Sequence, residues 1–287
     1  MNSPQTIGVI GAGTMGTGIV QVGALCGLSV VVMDIDEARV AKGRAAVTGA
    51  LEKLVKKEKL SAADRDAALG RLRGTTDYSA LGTCDFIIEA ATEDEPLKLK
   101  ILRQMDAIAK NDAILATNTS SISITKLGAA TRRPARFVGL HFFNPVPLMA
   151  LVEVVRGRQT DDAPVETAVA LAKRLGKTPV VVKDSPGFVV NRLLCPMLNE
   201  AVLAYGEGIA SAKDIDEAMK LGCNHPIGPL ALADLIGLDV VLAVMEVFHR
   251  DFKDPKYRPA PLLKEMVAAG KLGRKSGRGF HTYEATQ

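Results

Sequence analysis

Thr6-Ile-Gly-Val-Ile10-Gly11-Ala-Gly13-Thr14-Met15-Gly16 decides the fold of this chain. A short β-branched run closes on three glycines spaced G-x-G-x-x-G, and a helix-like stretch follows. The glycine spacing alone is a weak signal. Its context is specific: a strand before it, a helix after it, and a second strand, Val30-Val-Val-Met-Asp34, that ends in an acid. Gly11 permits a tight turn, Gly13 lets a pyrophosphate approach the backbone, and Gly16 allows close packing of helix on strand. With Thr14 and Met15 these glycines form the expected cofactor turn, and the helix N-terminus presents its positive dipole end to the phosphates. Asp34 is placed to accept hydrogen bonds from the adenosine ribose, where a 2′-phosphate would be repelled. No Arg or Lys follows it immediately, so the reading favours NAD over NADP. An Asp34 that caps the next helix is an alternative that does not exclude ribose contact.

Working outward, the first half alternates β-rich runs with helical stretches, as a parallel sheet with crossover helices requires. Strands are expected near Thr6 to Ile10, Ser29 to Asp34, Asp85 to Ala90, Ala113 to Asn118, Phe137 to Phe142, Leu151 to Val155 and Thr178 to Val182. About fifty residues separate the second strand from the one at Asp85, more than a single crossover helix needs. Glu37 to Glu58 and Ala62 to Leu72 therefore read as a helical hairpin projecting from the sheet, carrying Lys53, Lys56, Lys57 and Lys59. A lysine cluster mixed with Glu52 and Glu58 is in the first instance a solvated face. After Lys183 the β-branched runs stop. The expected architecture is a Rossmann-type α/β domain, 1–184, with a helical hairpin excursion, followed by an all-α domain, 185–287. Helices in the latter are expected around Arg192 to Tyr205, Asp214 to Leu221, Pro229 to Arg250 and Pro261 to Ala269.

The 287 residues, 47% apolar and 24% charged, suffice for two ordinary globular domains. A net charge of +4, the absence of Trp and aromatics not interleaved with basic residues argue against nucleic acid as a partner and suit a small anionic ligand. Cys26, Cys84, Cys195 and Cys223 show no metal-binding spacing and read as reduced core thiols. Met1-Asn-Ser-Pro-Gln-Thr6 has neither a basic nor an apolar leader region. The longest apolar stretch, Leu232 to Phe248, is interrupted by Asp234, Asp239 and Glu246, which suits a packed amphipathic helix rather than a membrane span. A soluble cytoplasmic protein without membrane contact is the expectation.

Two further segments place ionisable groups on apolar strands. Phe137-Val-Gly-Leu-His141-Phe-Phe-Asn144-Pro carries His141, and Leu151-Val-Glu153-Val-Val155 carries Glu153. Neighbouring strands would bring the two together. A carboxylate among valines costs several kcal/mol unless paired, and the histidine is its obvious partner. Such a pair can serve as a general acid or base near neutral pH. On this stretch alone, a structural ion pair beside a turn is an equal reading.

Taken with Asn118-Thr-Ser120-Ser, Ser185-Pro-Gly-Phe-Val-Val-Asn191-Arg, Asn224-His-Pro-Ile-Gly-Pro-Leu and Gly270-Lys-Leu-Gly-Arg-Lys-Ser-Gly-Arg-Gly-Phe280, these motifs make the chain resemble the 3-hydroxyacyl-CoA dehydrogenases over nearly its whole length. Its compact size is most similar to the stand-alone bacterial 3-hydroxybutyryl-CoA dehydrogenases. The resemblance implies oxidation of an (S)-3-hydroxyacyl-CoA by NAD and the reverse reaction, a step of fatty-acid and butanoate metabolism. It matches His141 and Glu153 to the family's catalytic pair, which resolves the two readings of that stretch. Ser120 and Asn191 match an active-site Ser and an Asn supplied by the helical domain, both substrate contacts. Asp34, Glu93, Lys98, Asn118 and Asn144 match cofactor contacts. The hairpin corresponds to the acyl-CoA contact region, with Lys56 or Lys57 meeting a CoA phosphate. With Asn191 in the second domain and His141 in the first, the active site is expected in the cleft between them. The apolar content of Leu230 to Phe248, more than a small helical domain needs to cover itself, predicts a homodimer through the second domain, consistent with the family.

The departures, Cys223 in place of a frequent Met and Ala150 and Ala231 in place of larger or charged residues, touch packing and specificity. The basic tail from Lys271 to Arg278 reads as an ordered turn closing the domain ahead of a CoA contact. Two other classes compete: a β-hydroxyacid dehydrogenase acting on free acids, which uses a Lys where this chain has Asn191 and Arg192, and a non-catalytic nucleotide-binding relative of the lens-crystallin kind.

Overall fold

The structure, a computed structural model, describes residues 4–283. The first three residues of the stretch read for a leader, and the last four of the expected second domain, lie outside the described residues. The chain divides into two compact units, Met1–Ser185 and Pro186–Gln287.

The first unit is built on an eight-stranded sheet ordered β3-β2-β1-β4-β5-β6-β7-β8. Its strands are β1 (Thr6–Ile10), β2 (Ser29–Met33), β3 (Leu72–Thr75), β4 (Phe86–Glu89), β5 (Ile114–Thr117), β6 (Phe137–Phe142), β7 (Leu151–Arg156) and β8 (Thr178–Lys183). Pairing is parallel from β3 to β6; β7 then runs antiparallel to β6, and β8 parallel to β7. Helices α1 (Thr14–Leu25), α2 (Glu37–Lys56), α3 (Ala62–Gly70), α4 (Glu95–Ile108), α5 (Ile124–Ala129) and α6 (Asp162–Arg174) connect the strands. Side-chain caps start several of them: Asp36, Ser61, Asp94 and Ser123 accept from the backbone three residues on. Central strands buried on both faces read as continuous apolar runs, and Ile7, Val9, Val30, Val32, Phe86, Ile88, Val138, Leu140, Val152 and Val154 form one core.

Two expectations for the first unit need correcting. Strand β3 was not foreseen, because of Leu72-Arg-Gly-Thr75 only Leu72 is buried and an edge strand of this kind carries no apolar run. The helical hairpin does not simply project. Val47 and Leu51 of α2 and Ala68 of α3 belong to the main core, so the hairpin lies packed along the unit, while Lys53, Lys56, Lys57 and Lys59 at its turn are exposed.

The second unit is helical: α7 (Val190–Gly206), α8 (Ala212–Cys223), α9 (Pro229–Ile236), α10 (Leu238–Phe252) and α11 (Pro261–Ala268). The fold class, Rossmann-type followed by all-α, is the one read from the sequence. The single helix expected from Pro229 to Arg250 is instead broken at Gly237, whose φ of +105° lies in the region that favours glycine. Just before the break, the buried Asp234 carboxylate accepts from the Phe280 and His281 amides and the Tyr283 hydroxyl. The basic tail is an ordered turn, with the Gly273 amide donating to the Arg278 carbonyl at 3.0 Å. Among the described residues no helix is long and apolar enough to cross a membrane.

Candidate active site

The glycine turn follows from local sterics. Gly11 has φ +107°, and a Cβ there would stand 2.6 Å from the Ala90 carbonyl oxygen at the end of β4. A Cβ on Gly16 would overlap the Gly11 carbonyl oxygen, so α1 can approach β1 only with glycine at that position. At Gly13 a Cβ would meet nothing within 4 Å, because this residue faces an open cavity and ends the chain segment that caps α1. Backbone amides at a helix start, bared of side chains and facing open space, fit a pyrophosphate.

Two depressions flank this turn. One, of about 540 Å³, is lined by Ala12, Gly13, Thr14, Thr17, Asp34, Arg39, Lys42, Gly43 and Ala46. Asp34 accepts the Ala12 amide on one oxygen and the Ile35 amide on the other, each at 2.7 Å, which fixes its carboxylate at the end of β2. The second depression, about 270 Å³, is lined by Gly13, Thr14, Met15, Ala90, Ala91, Thr92, Glu93, Lys98 and Asn118. An NAD-sized ligand lying across the turn would reach both.

Beneath the second depression lies a buried charge network. Lys98 Nζ donates to Glu89 Oε2 at 2.5 Å and to Thr117 Oγ1 at 3.3 Å, and Thr117 Oγ1 donates to the same Glu89 oxygen at 2.7 Å. Lys98 and Glu89 are essentially inaccessible to solvent, so each charge depends on the other. Lys98 Nζ also lies 3.9 Å from Glu93 Oε2. Glu93 in turn accepts the Ser120 amide at 2.7 Å and the Ser120 hydroxyl at 2.9 Å on one oxygen, and the Thr119 hydroxyl at 2.8 Å on the other. Thus Glu93 joins Lys98 to the serine loop. Asn118, one residue past β5, accepts the Phe142 amide at 2.8 Å and ties that loop to the end of β6.

On β6 and β7 the antiparallel register sets His141 opposite Glu153. His141 Nδ1 lies 2.7 Å from Glu153 Oε2; both residues are buried, and the Phe143 ring packs on the imidazole at 4.4 Å between centroids. The chain then leaves β6 through exposed Asn144 and a cis peptide to Pro145. Val146 presses on α1 so closely that a Cβ on Gly18 would stand 2.7 Å from its Cβ, which braces this loop against the helix that starts at the glycine turn.

The structure therefore gathers Gly11, Gly13, Thr14, Met15, Gly16, Asp34, Glu93, Lys98, Asn118 and Ser120 around one turn, and pairs His141 with Glu153 on neighbouring strands of the same sheet. Lys56 and Lys57 sit exposed at the far end of α2, and Asn191 belongs to the second unit, in the first turn of α7. Three supporting residues escaped the sequence reading. Glu89 ends the apolar run Phe86-Ile-Ile, the same signal that exposed Glu153. Buried Lys177 donates to the Val146 and Met149 carbonyls, clasping the loop after His141, and burial pushes its pKa down. Asp184 accepts the Ser123 hydroxyl and the Ile124 and Thr125 amides, holding the start of α5 beyond the serine loop. Nothing local in the sequence marks either of the last two.

Comparison with known proteins agrees with this geometry. Residues 6–185 match the model for the 3-hydroxyacyl-CoA dehydrogenase NAD binding domain, and residues 187–283 that for the 3-hydroxyacyl-CoA dehydrogenase C-terminal domain. A probable 3-hydroxybutyryl-CoA dehydrogenase of Deinococcus radiodurans is 52% identical over 276 residues, covering 96% of this chain and 99% of its own length. The 3-hydroxybutyryl-CoA dehydrogenase of Clostridioides difficile is 50% identical over 277 residues, with the same coverage. Among solved structures, the (S)-3-hydroxybutyryl-CoA dehydrogenase of Ralstonia eutropha superposes with a TM-score of 0.97 at 61% identity, covering 98% of this chain and all of that one. Glycine turn, buried lysine network and family models point the same way: the chain belongs to the 3-hydroxyacyl-CoA dehydrogenase family, an NAD-dependent enzyme whose first unit is the NAD-binding domain.

Proposed function

We propose that this enzyme interconverts (S)-3-hydroxyacyl-CoA and 3-oxoacyl-CoA of short chain, 3-hydroxybutyryl-CoA and acetoacetyl-CoA foremost, with His141 and Glu153 as its acid/base pair. The observation that carries the reading is the 2.7 Å contact between His141 Nδ1 and Glu153 Oε2 at a buried position. The short-chain preference rests on the names of the relatives, and the S configuration on that of the Ralstonia eutropha enzyme.

With Nδ1 committed to Glu153, proton exchange runs through Nε2. In the oxidative direction His141 takes the proton of the 3-hydroxyl as the C3–O bond gains carbonyl character. In the reductive direction it returns that proton to the forming alkoxide. Glu153 fixes the imidazole tautomer and stabilises the imidazolium, contributions that together with the base are worth about 10² to 10⁴ in rate. When bound, NAD supplies the hydride acceptor and NADH the donor. Ser120, held by Glu93, and Asn191 orient the 3-oxygen and the thioester end by hydrogen bonding. Asp34, Glu93, Lys98, Asn118 and Asn144 hold the cofactor, and Lys56 or Lys57 meets a CoA phosphate.

The test is NADH absorbance on adding acetoacetyl-CoA to the wild type and to His141→Ala, with free acetoacetate as control. Rapid NADH loss with the thioester, weakened about 10²-fold or more in the variant, is expected. Turnover of the free acid instead, or a variant as active as the wild type, would overturn the substrate class or the base respectively.

We further propose a homodimer through the second unit, supported by exposed apolar residues such as Leu193, Leu221 and Leu235 on its helices. Sedimentation equilibrium at micromolar concentration is expected to give twice the chain mass, and a monomer would remove the proposal. A cytoplasmic site of action belongs to the same reading, which recovery in the membrane pellet would contradict.

A further inference from the structure

The cavity beside Asp34 is lined by two cations as well as that carboxylate. Arg39 and Lys42 both line it, from the first turns of α2. They are brought there by Gly43, where a Cβ would stand 2.8 Å from the Ala12 Cβ and 3.1 Å from the Ala12 carbonyl oxygen, so α2 lies against the glycine loop itself. Arg39 is partly answered by Asp36, with Nε 3.2 Å from a carboxylate that also caps α2 by accepting the Arg39 amide. Lys42 is exposed and forms no ion pair among the described residues. Among the described residues the one carboxylate lining the cavity is Asp34, and both of its oxygens already accept backbone amides.

We infer that this cavity is a latent 2′-phosphate site: Lys42, helped by Arg39, is ready to receive the phosphate of NADP, and Asp34 alone excludes it. A phosphate dianion beside the Asp34 carboxylate is repelled at short range in a half-buried setting. Without that carboxylate, the same volume offers an unanswered ammonium and a guanidinium, the groups that bind phosphate by charge-assisted hydrogen bonds. Nicotinamide specificity in this chain is therefore a contest between one acid on β2 and two cations on α2. The sequence reading missed the cations because they do not follow Asp34 directly. They come back to it one and two helical turns into α2.

The inference rests on the NAD-binding assignment of the first unit, and titration of the wild type with NADH is the control for that assignment. The measurement is the ratio of NADPH to NADH dissociation constants, read by nicotinamide fluorescence without acyl-CoA. Asp34→Ser is expected to lower that ratio by about 10²-fold, and Lys42→Ala added to it to raise the ratio again by about tenfold. A ratio that Lys42→Ala leaves unmoved in the Asp34→Ser background overturns the inference. Should Asp34→Ser fold poorly, Lys42→Ala in the otherwise wild-type chain decides. The ratio should then rise about threefold, since a surface cation that no phosphate meets would leave it unchanged.

Discussion

Among the described residues two histidine–carboxylate pairs stand at the same separation. His141 Nδ1 meets Glu153 Oε2 at 2.7 Å in the first unit, and His281 Nε2 meets Asp216 Oδ2 at 2.7 Å in the second. Their settings differ. Glu153 stands on a strand among buried valines, across from a histidine at the end of β6 where the serine loop and Asn118 also converge. Asp216 serves as a structural clamp: its oxygens accept the Leu230 and Ala231 amides at the start of α9, leaving His281 as a third donor on the outside, over a quarter exposed. A carboxylate that caps a helix cannot follow a proton without loosening the helix. One held in a strand opposite its histidine can stabilise an imidazolium without disturbing a helix start. Distance does not separate the two pairs; the setting of the carboxylate does, a helix start for Asp216 and a buried strand for Glu153.

That contrast can be broken by a crossed pair of substitutions. Glu153→Gln keeps a hydrogen-bond acceptor for His141 but removes the charge that stabilises the imidazolium. Turnover with acetoacetyl-CoA should fall by about 10²-fold or more, with the NADH dissociation constant within about twofold of wild type. Asp216→Asn should do the opposite. Turnover should stay within about twofold, and stability in urea should drop by about 1–2 kcal/mol as the cap of α9 and the link to His281 weaken. If Asp216→Asn slowed turnover as much as Glu153→Gln, or if Glu153→Gln cost only stability, the division into a working pair and a clamping pair would be wrong.

The same contrast explains what was legible in the sequence. The turn from Gly11 to Gly16 could be read because its demands are local: tight φ, bare backbone and close helix packing are all satisfied within six residues. His141 and Glu153 could be read because a charge on an apolar strand has to be explained, and Glu89 at the end of Phe86-Ile-Ile carried that signal too. Asp216, Asp184 and Lys177 could not. Their partners are fixed by tertiary approach, some 14 residues away for Asp216 and about 60 for Asp184, and their own surroundings in sequence are ordinary. The break at Gly237 was hidden for a related reason. A glycine inside an apolar helical pattern looks tolerable until the tail docks on Asp234 and makes the break favourable. Charge on a buried strand announces itself, whereas charge at a helix end does not.

A third carboxylate, Asp106, sharpens the distinction through pH. It lies buried on α4 and accepts the Arg132 amide at 2.7 Å and Arg133 Nε at 2.6 Å, so it joins α4 to the loop after α5. Burial pushes its pKa up, but the Arg132 amide and the Arg133 guanidinium outweigh that and hold the carboxyl below its ordinary value. A group whose folded pKa is depressed contributes stability that is complete above its unfolded pKa, about 3.9, and is lost as pH falls through the lower folded value. Asp106→Asn should therefore cost on the order of 2 kcal/mol at pH 7, and the gap between wild type and variant should narrow as pH drops below about 4. Turnover at pH 7 should hardly change. Urea unfolding at pH 7 and at pH 3 checks the sign. An equal gap at both would mean that neutral packing, and not the ionised carboxylate, holds α4 to that loop, and Asp106 would then belong with neither of the histidine-bound acids.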